Sequence, residues 1–250
     1  MEITSVNNEL VKSAAKLKQK KYRTKSGKFL LEGYKAIKEA FDNKIKLEYI
    51  FTDKKHAPEY GFAGDLVIIS SENVLRKIAA ADSVPESAAI GYQKKYDKNI
   101  LADTQKVVLL ENIKDLGNLG TIIRSSAAFG VDAVILYGGE SVDIYNPKSV
   151  RSSAGYLWKT PIIEIRDFKT LEEYFKGYNK IAALPKGEHP LKTFKTKLPC
   201  LIMFGSEADG LSDELIGFSA STVKIEMVQS VESLNLASSV SVILYQLLVK

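Results

Sequence analysis

Residues 106–137 read KVVLLENIKDLGNLGTIIRSSAAFGVDAVILY, and this stretch sets the fold class. Lys106–Glu111 is a continuous apolar run, and residues 131–137 (VDAVILY) are a second. Runs without polar alternation belong to strands buried on both faces, the condition inside a parallel sheet. The intervening residues suit a crossover helix, which parallel strands require. That helix is expected over residues 119–129, with Gly117 and Gly120 in the turn that leads into it.

The alternation continues downstream. Strands are expected at Ile162–Ile165, 180–184, Cys200–Phe204 and 222–225, and helices at 146–154, 171–176 and 212–218. A long apolar helix over 234–248 closes the chain. The pattern predicts a doubly wound α/β domain, whose ligands bind at the C-terminal ends of the strands. Upstream, a helix over 8–20 precedes a strand at Lys28–Glu32, a helix over 33–42, and strands at Leu47–Thr52 and 66–70. A helix over 71–78, with Ser71 as its expected N-cap, and a strand over 88–93 complete a small α/β unit. The polar stretch 94–104 divides the two parts. The expected domains are 1–98, a linker over 99–105, and 106–250.

Composition narrows the function classes. The 250 residues are 45% hydrophobic and 26% charged, ordinary globular values. No apolar run approaches the ~20 residues of a membrane span, and the N-terminus lacks a secretory h-region, so a cytoplasmic protein with no membrane partner is expected. One cysteine, Cys200, forms no internal disulfide, and with only His56 and His189 beside it no metal site is expected. Net charge is +5, and its distribution is uneven: residues 12–28 hold eight Lys/Arg and no acid. Such a cluster is either a solvated helix face or a phosphate-binding surface.

Three segments carry candidate chemistry. The first, 112–130 (NIKDLGNLGTIIRSSAAFG), has glycines at a strand-to-helix turn, where free N–H groups suit an anionic or polar ligand. It is neither GxGxxG nor a P-loop. Arg124 follows Gly120 by one helical turn; without further context it is an ordinary surface cation. The second, 201–215 (LIMFGSEADGLSDEL), ends an apolar strand at Gly205 and places Glu207 in the following loop. The third, 225–237 (IEMVQSVESLNLA), crosses a loop into the last helix, where Ser233 or Asn235 serves as N-cap.

Taken together, N-L-G-x-I-I-R-x-x-x-A-F-G, F-G-S-E-x-x-G-L-S and I-x-M-x-x-x-V-E-S-L-N resemble the SpoU (TrmH) family of SPOUT methyltransferases, in the family's order. Residues 151–155 (RSSAG) look like the family's R-x-S-x-G segment. The region around residues 28–40 (KFLLEGYKAIKEA) is similar to the L30e-like RNA-binding domain often fused to these enzymes.

The resemblance implies methyl transfer from S-adenosylmethionine to a ribose 2′-hydroxyl of RNA, ribosomal RNA before tRNA, by a homodimer whose C-terminal domain holds a trefoil knot. Such a knot is a rare exception to the rule against threaded chains. It implies Arg124, Asn118, Glu207 and Asn235 as catalytic candidates, and Gly205, Ile225, Met227, Leu234 and Leu184 as cofactor-binding candidates. In this context Lys12, Lys16, Lys20, Lys21, Tyr22 and Arg23, with Arg151 and Ser153, become RNA-binding candidates. Two departures concern loop rigidity: Glu226, and Leu116 with Gly117, stand where relatives commonly carry proline. The competing class is a non-catalytic RNA-binding assembly factor that keeps the fold; retention of Arg124 and of the Ser233-Leu234-Asn235 segment argues against it.

Overall fold

The computed structural model describes residues 1–139, 142–228, 230–231 and 233–249. In chain order the elements are β1 (Glu2–Ile3), α1 (Glu9–Lys16), α2 (Lys20–Ser26), β2 (Lys28–Glu32), α3 (Tyr34–Asp42), β3 (Leu47–Thr52), β4 (Val67–Ser70), α4 (Glu72–Ile78) and β5 (Ser87–Tyr92). They continue as β6 (Lys106–Glu111), α5 (Leu116–Ala128), β7 (Ala133–Tyr137), α6 (Pro147–Ser152), β8 (Ile162–Ile165), α7 (Phe168–Tyr174) and β9 (Asn179–Ala183). The chain ends with β10 (His189–Pro190), β11 (Cys200–Phe204), α8 (Asp213–Phe218), β12 (Ser221–Lys224) and α9 (Leu236–Leu244). Two compact units result: Met1–Lys94 with Asp143–Trp158, and Lys95–Val142 with Lys159–Lys250.

The first unit has a five-stranded mixed sheet in the order β1-β4-β3-β5-β2. Its core joins Val11 and Ala14 of α1, and Leu17 just past it, to Leu30, Phe51, Ile68 and Ile90 of the sheet. The single helix expected over 8–20 is two helices. The N–H groups of Leu17 and Gln19 turn back to the carbonyls of Ala14 and Lys16, both at 3.0 Å, which tightens and ends the first. Gly27 ends the second in the left-handed region at φ 65°. Ser71 does occupy the N-cap position of α4, but its hydroxyl donates to the Thr4 carbonyl at 3.2 Å instead of capping.

Residues 143–158 belong to this first unit although they follow β7 in sequence. Arg23, 1% exposed, donates from Nε to Asp143 Oδ2 at 3.0 Å and from Nη1 to the carbonyls of Leu17 and Lys18. Tyr145 packs on Phe29, ring centroids 4.7 Å apart, and its hydroxyl donates to the Lys94 carbonyl. These observations correct two expectations. Arg23 is spent on a buried ion pair, and Ser153, fully buried, donates its hydroxyl to the Val150 carbonyl at 2.7 Å; neither is presented to RNA. Removing one partner of a buried pair strands the other charge, at a cost of about 3 kcal/mol. Asp143→Ala is therefore expected to lower the thermal midpoint by roughly 10 °C; an unchanged midpoint in calorimetry would refute this account of the segment.

The second unit carries a seven-stranded sheet in the order β10-β12-β9-β11-β6-β7-β8, every pair of it parallel, as the buried apolar runs predicted. Val107, Leu109, Ile135, Leu201 and Met203 fill its core with Leu171 of α7, Phe175 at the end of that helix and Leu215 of α8. Helix α5 begins three residues earlier than expected. Asp115 caps it by accepting the Asn118 N–H at 2.7 Å, so Gly117, Asn118 and Gly120 lie inside the helix and not in a glycine loop. The closing helix is shorter than expected: α9 begins after Asn235 and gives way to a wider π turn over Tyr245–Val249. The linker is ordered too, with a 3-10 segment at Lys98–Asp103 whose Leu101 is buried in this core.

Candidate active site

Past the C-terminal ends of β9, β11 and β12 the second unit opens into a cavity of about 730 Å³. Three loops build it. The first leaves β11 at Gly205 and returns through an isolated bridge between Ser206 and Gly210, with reciprocal backbone hydrogen bonds of 3.1 Å. The Asp209 N–H also donates to Ser206 Oγ at 3.0 Å, which tightens the turn. A Cβ on Gly205 would sit 1.9 Å from the Gly210 carbonyl carbon and 2.1 Å from the Leu211 nitrogen, so only glycine permits this closure. The second runs from β12 to α9 and brings Ile225, Met227, Ser233, Leu234 and Asn235 to the wall, and the third follows β9. Leu184 and Pro185, just beyond β9, close the remaining side.

All five cofactor-binding candidates (Gly205, Ile225, Met227, Leu234 and Leu184) line this one cavity, and Glu207 and Asn235 share its wall. Glu232 of the third motif lies outside the described residues. Asn118 ties the segments together. Its Nδ2 donates to Glu207 Oε1 at 2.8 Å, and its Oδ1 accepts from Asn235 Nδ2 at 2.9 Å. Asn235 Oδ1 in turn accepts the Ser238 N–H at 3.3 Å and caps α9. Three residues that are 89 and 117 positions apart in sequence thus form one hydrogen-bonded chain at the cavity rim. Ser125 and Ser241 add a 2.8 Å bond between α5 and α9.

Arg124 is placed differently. It is exposed on α5, outside the cavity wall, and no hydrogen bond or ion pair holds it among the described residues. Six residues past Asn118, it lies about 9 Å further along the helix axis, two turns into the helix and not one. Beneath the site, Glu111 Oε2 accepts the Ser212 N–H at 2.7 Å, and the Tyr137 hydroxyl donates to Glu214 at 2.9 Å. Burial, reinforced by Glu214, raises the Tyr137 pKa and keeps that donor protonated. The sequence reading missed Ser206, Asp209, Ser239 and Ile243 in the wall. The S-E-A-D-G spacing held a signal for the first two, since a serine three residues before an aspartate can close a local turn.

Comparison with known proteins bears on what this cavity serves. Residues 105–245 match the SpoU rRNA Methylase family. The chain belongs to that family. Residues 8–89 match the MRM3-like substrate binding domain, so the SpoU methylase part follows a second recognised domain. An uncharacterized tRNA/rRNA methyltransferase of Synechocystis is 32% identical, the match covering 98% of this chain and 92% of the relative. The 23S rRNA (guanosine(2553)-2′-O)-methyltransferase RlmP of Bacillus subtilis is 28% identical over 98% of each chain. Among solved structures, an AdoMet-bound rRNA methyltransferase from Sinorhizobium meliloti superposes with a TM-score of 0.86 at 27% identity, covering 98% of this chain and 96% of that one.

The basic N-terminal residues of this SpoU protein are mostly available. Lys16, Lys20 and Lys21 are exposed, and Tyr22 is partly so, with the ammonium groups of Lys21 and Lys16 at 4.9 and 5.8 Å from its ring centroid. Lys12 is engaged with Glu9 at 2.9 Å, and Arg151 lies 3.6 Å from Glu32. Among the described residues no helix is long and apolar enough to cross a membrane.

Proposed function

We propose that this chain methylates a ribose 2′-hydroxyl of ribosomal RNA, using S-adenosylmethionine held in the cavity past β9, β11 and β12. The observation that carries the proposal is the convergence of three separated motifs on that single cavity, in a chain whose full-length relatives include a named 23S rRNA 2′-O-methyltransferase. The residues present fit the cofactor. The volume lies inside the roughly 300–1,000 Å³ of small-molecule pockets, Ile225, Leu234, Met227 and Leu184 offer apolar walls for a purine, and Gly205 keeps the loop closed around it. When bound, the cofactor supplies an electrophilic methyl group on a sulfonium.

The chain's own residues do the remaining work. A ribose hydroxyl is a poor nucleophile until its charge development is stabilised, and positioning is much of the barrier. Arg124 orients a phosphate beside the target ribose and stabilises alkoxide character; a guanidinium is unsuited to act as a general base. Asn118 and Asn235 orient Glu207 and the cofactor loops through their hydrogen-bonded chain. Lys12, Lys16, Lys20, Lys21, Tyr22 and Arg151 contact the RNA. The proposed domains are an RNA-binding part over 1–98, a linker over 99–105 and a methyltransferase part over 106–250. We place the protein in the cytoplasm as a homodimer through its C-terminal part, where Val242, Tyr245 and Val249 leave an exposed apolar face.

Transfer of a labelled methyl group from S-adenosylmethionine to deproteinised large-subunit ribosomal RNA tests the reaction, with tRNA as the comparison. Label in tRNA alone would overturn the choice of RNA, and label in neither would overturn the enzyme. Lys16→Glu with Lys20→Glu is expected to weaken RNA binding roughly tenfold at moderate salt and leave cofactor binding intact. Unchanged RNA affinity would remove the N-terminal helices from the RNA-binding surface.

A further inference from the structure

Residues 185–199 (PKGEHPLKTFKTKLP) form a basic arm on the second unit that the motifs do not use and of which only Pro185 lines the cofactor cavity. From His189 to Pro199 the arm has three lysines, Lys192, Lys195 and Lys197, and no acid. All three are exposed, and none of their ammonium groups has an ion pair or hydrogen bond among the described residues. The arm is anchored to the second unit at Gly187, Glu188 and Leu191 and through Thr196. Gly187 lies so flat on β12 that a Cβ there would come 2.4 Å from the Val223 carbonyl carbon. The Glu188 N–H donates to Thr222 Oγ1 at 2.8 Å, the Leu191 N–H to the Lys224 carbonyl at 2.8 Å, and Asn179 Nδ2 to Thr196 Oγ1 at 3.0 Å. The His189 and Phe194 rings face each other at 5.5 Å. The arm starts at Pro185 in the wall of the cofactor cavity, and Lys192, unlike Lys195 and Lys197, lines a shallow depression with Ile225, Glu226, Val242 and Tyr245, at the border of the proposed dimer face.

The competing explanation is protection of a sheet edge, since β10 is an edge strand and lysines there discourage strand pairing. Pro190 already removes a donor from that two-residue strand, and all three lysines lie beyond it. An anchored arm with free ammonium groups suits a cationic surface for a polyanion, because anchoring reduces the ordering left to be done on binding. We propose that Lys192, Lys195 and Lys197 form a second RNA-backbone contact, on the methyltransferase unit itself and beside the cofactor cavity. This rests on the reading of the chain as an RNA methyltransferase.

The test is the salt dependence of poly(U) binding by the full chain, compared with the triple variant Lys192→Gln, Lys195→Gln, Lys197→Gln. Each phosphate contact on a single strand contributes about 0.7 to the slope of log K against log salt, so the slope should fall in magnitude by about 2. S-adenosylmethionine binding and the thermal midpoint should stay unchanged, which shows that the variant is folded. An unchanged slope overturns the arm's role while leaving the methyltransferase reading untouched. A variant that aggregates or changes oligomeric state yet keeps the slope also overturns it, in favour of edge protection or self-association. A wild-type chain without affinity for poly(U) overturns both readings.

Discussion

Gly205→Val is expected to weaken binding of S-adenosylmethionine by about 100-fold while the chain stays folded. The cause is steric and local. The new Cβ would lie 1.9 Å from the carbonyl carbon of Gly210, and backbone cannot yield as a side chain tip can. Relief requires the Ser206–Gly210 bridge to open, which moves one wall of the cavity away from Ile225 and Leu234. Overpacking of this kind costs typically 1–3 kcal/mol, or about 10- to 100-fold in affinity, and the valine methyls add to it. Because the loop lies beyond the end of β11, circular dichroism should report an intact sheet. Titration calorimetry with the cofactor decides the matter. A dissociation constant equal to that of the wild type would mean that the cofactor binds elsewhere.

Arg124→Ala should produce the opposite pattern: full cofactor binding and a fall in kcat of about 10²–10³-fold, the usual consequence of removing one donor aimed at developing charge. The separation follows from placement. Arg124 is exposed on α5 and outside the cavity wall, so its loss leaves the cofactor's surroundings intact. Arg124→Lys should recover only part of the rate, since an ammonium lacks the planar fork that grips a phosphate at two points. Wild-type kcat in the alanine variant would exclude the catalytic role. A loss of cofactor affinity equal to the loss of rate would recast Arg124 as part of the binding wall.

The parts of the fold visible in the sequence were those set by burial on both faces. KVVLLE and VDAVILY read as interior strands, and they lie side by side as the fifth and sixth of the seven strands in the sheet. Helix α5 was harder to bound because two glycines, each costing about 1 kcal/mol in a helix, read as a turn. Asp115 starts the helix regardless, and buried Gly120 fits its packed face. The site shows the same division. Apolar wall residues could be placed from their motifs, whereas the bond from Asn118 to Glu207 and Asn235 joins residues whose proximity depends on tertiary structure. The fate of Arg23 was equally hidden: its partner Asp143 is 120 residues away, and nothing local separates a buried arginine from its exposed lysine neighbours.

The central claim is that the cavity and Arg124 together modify ribose in ribosomal RNA. Nucleotide-resolution mapping of 2′-O-methylation in total RNA from cells with and without this chain tests it most directly, with the Arg124→Ala chain as a third sample. The expected result is a methyl mark in large-subunit ribosomal RNA that disappears when the chain is deleted and does not return with the variant. An identical map in all three samples would contradict the account and leave a non-catalytic RNA-binding role in its place.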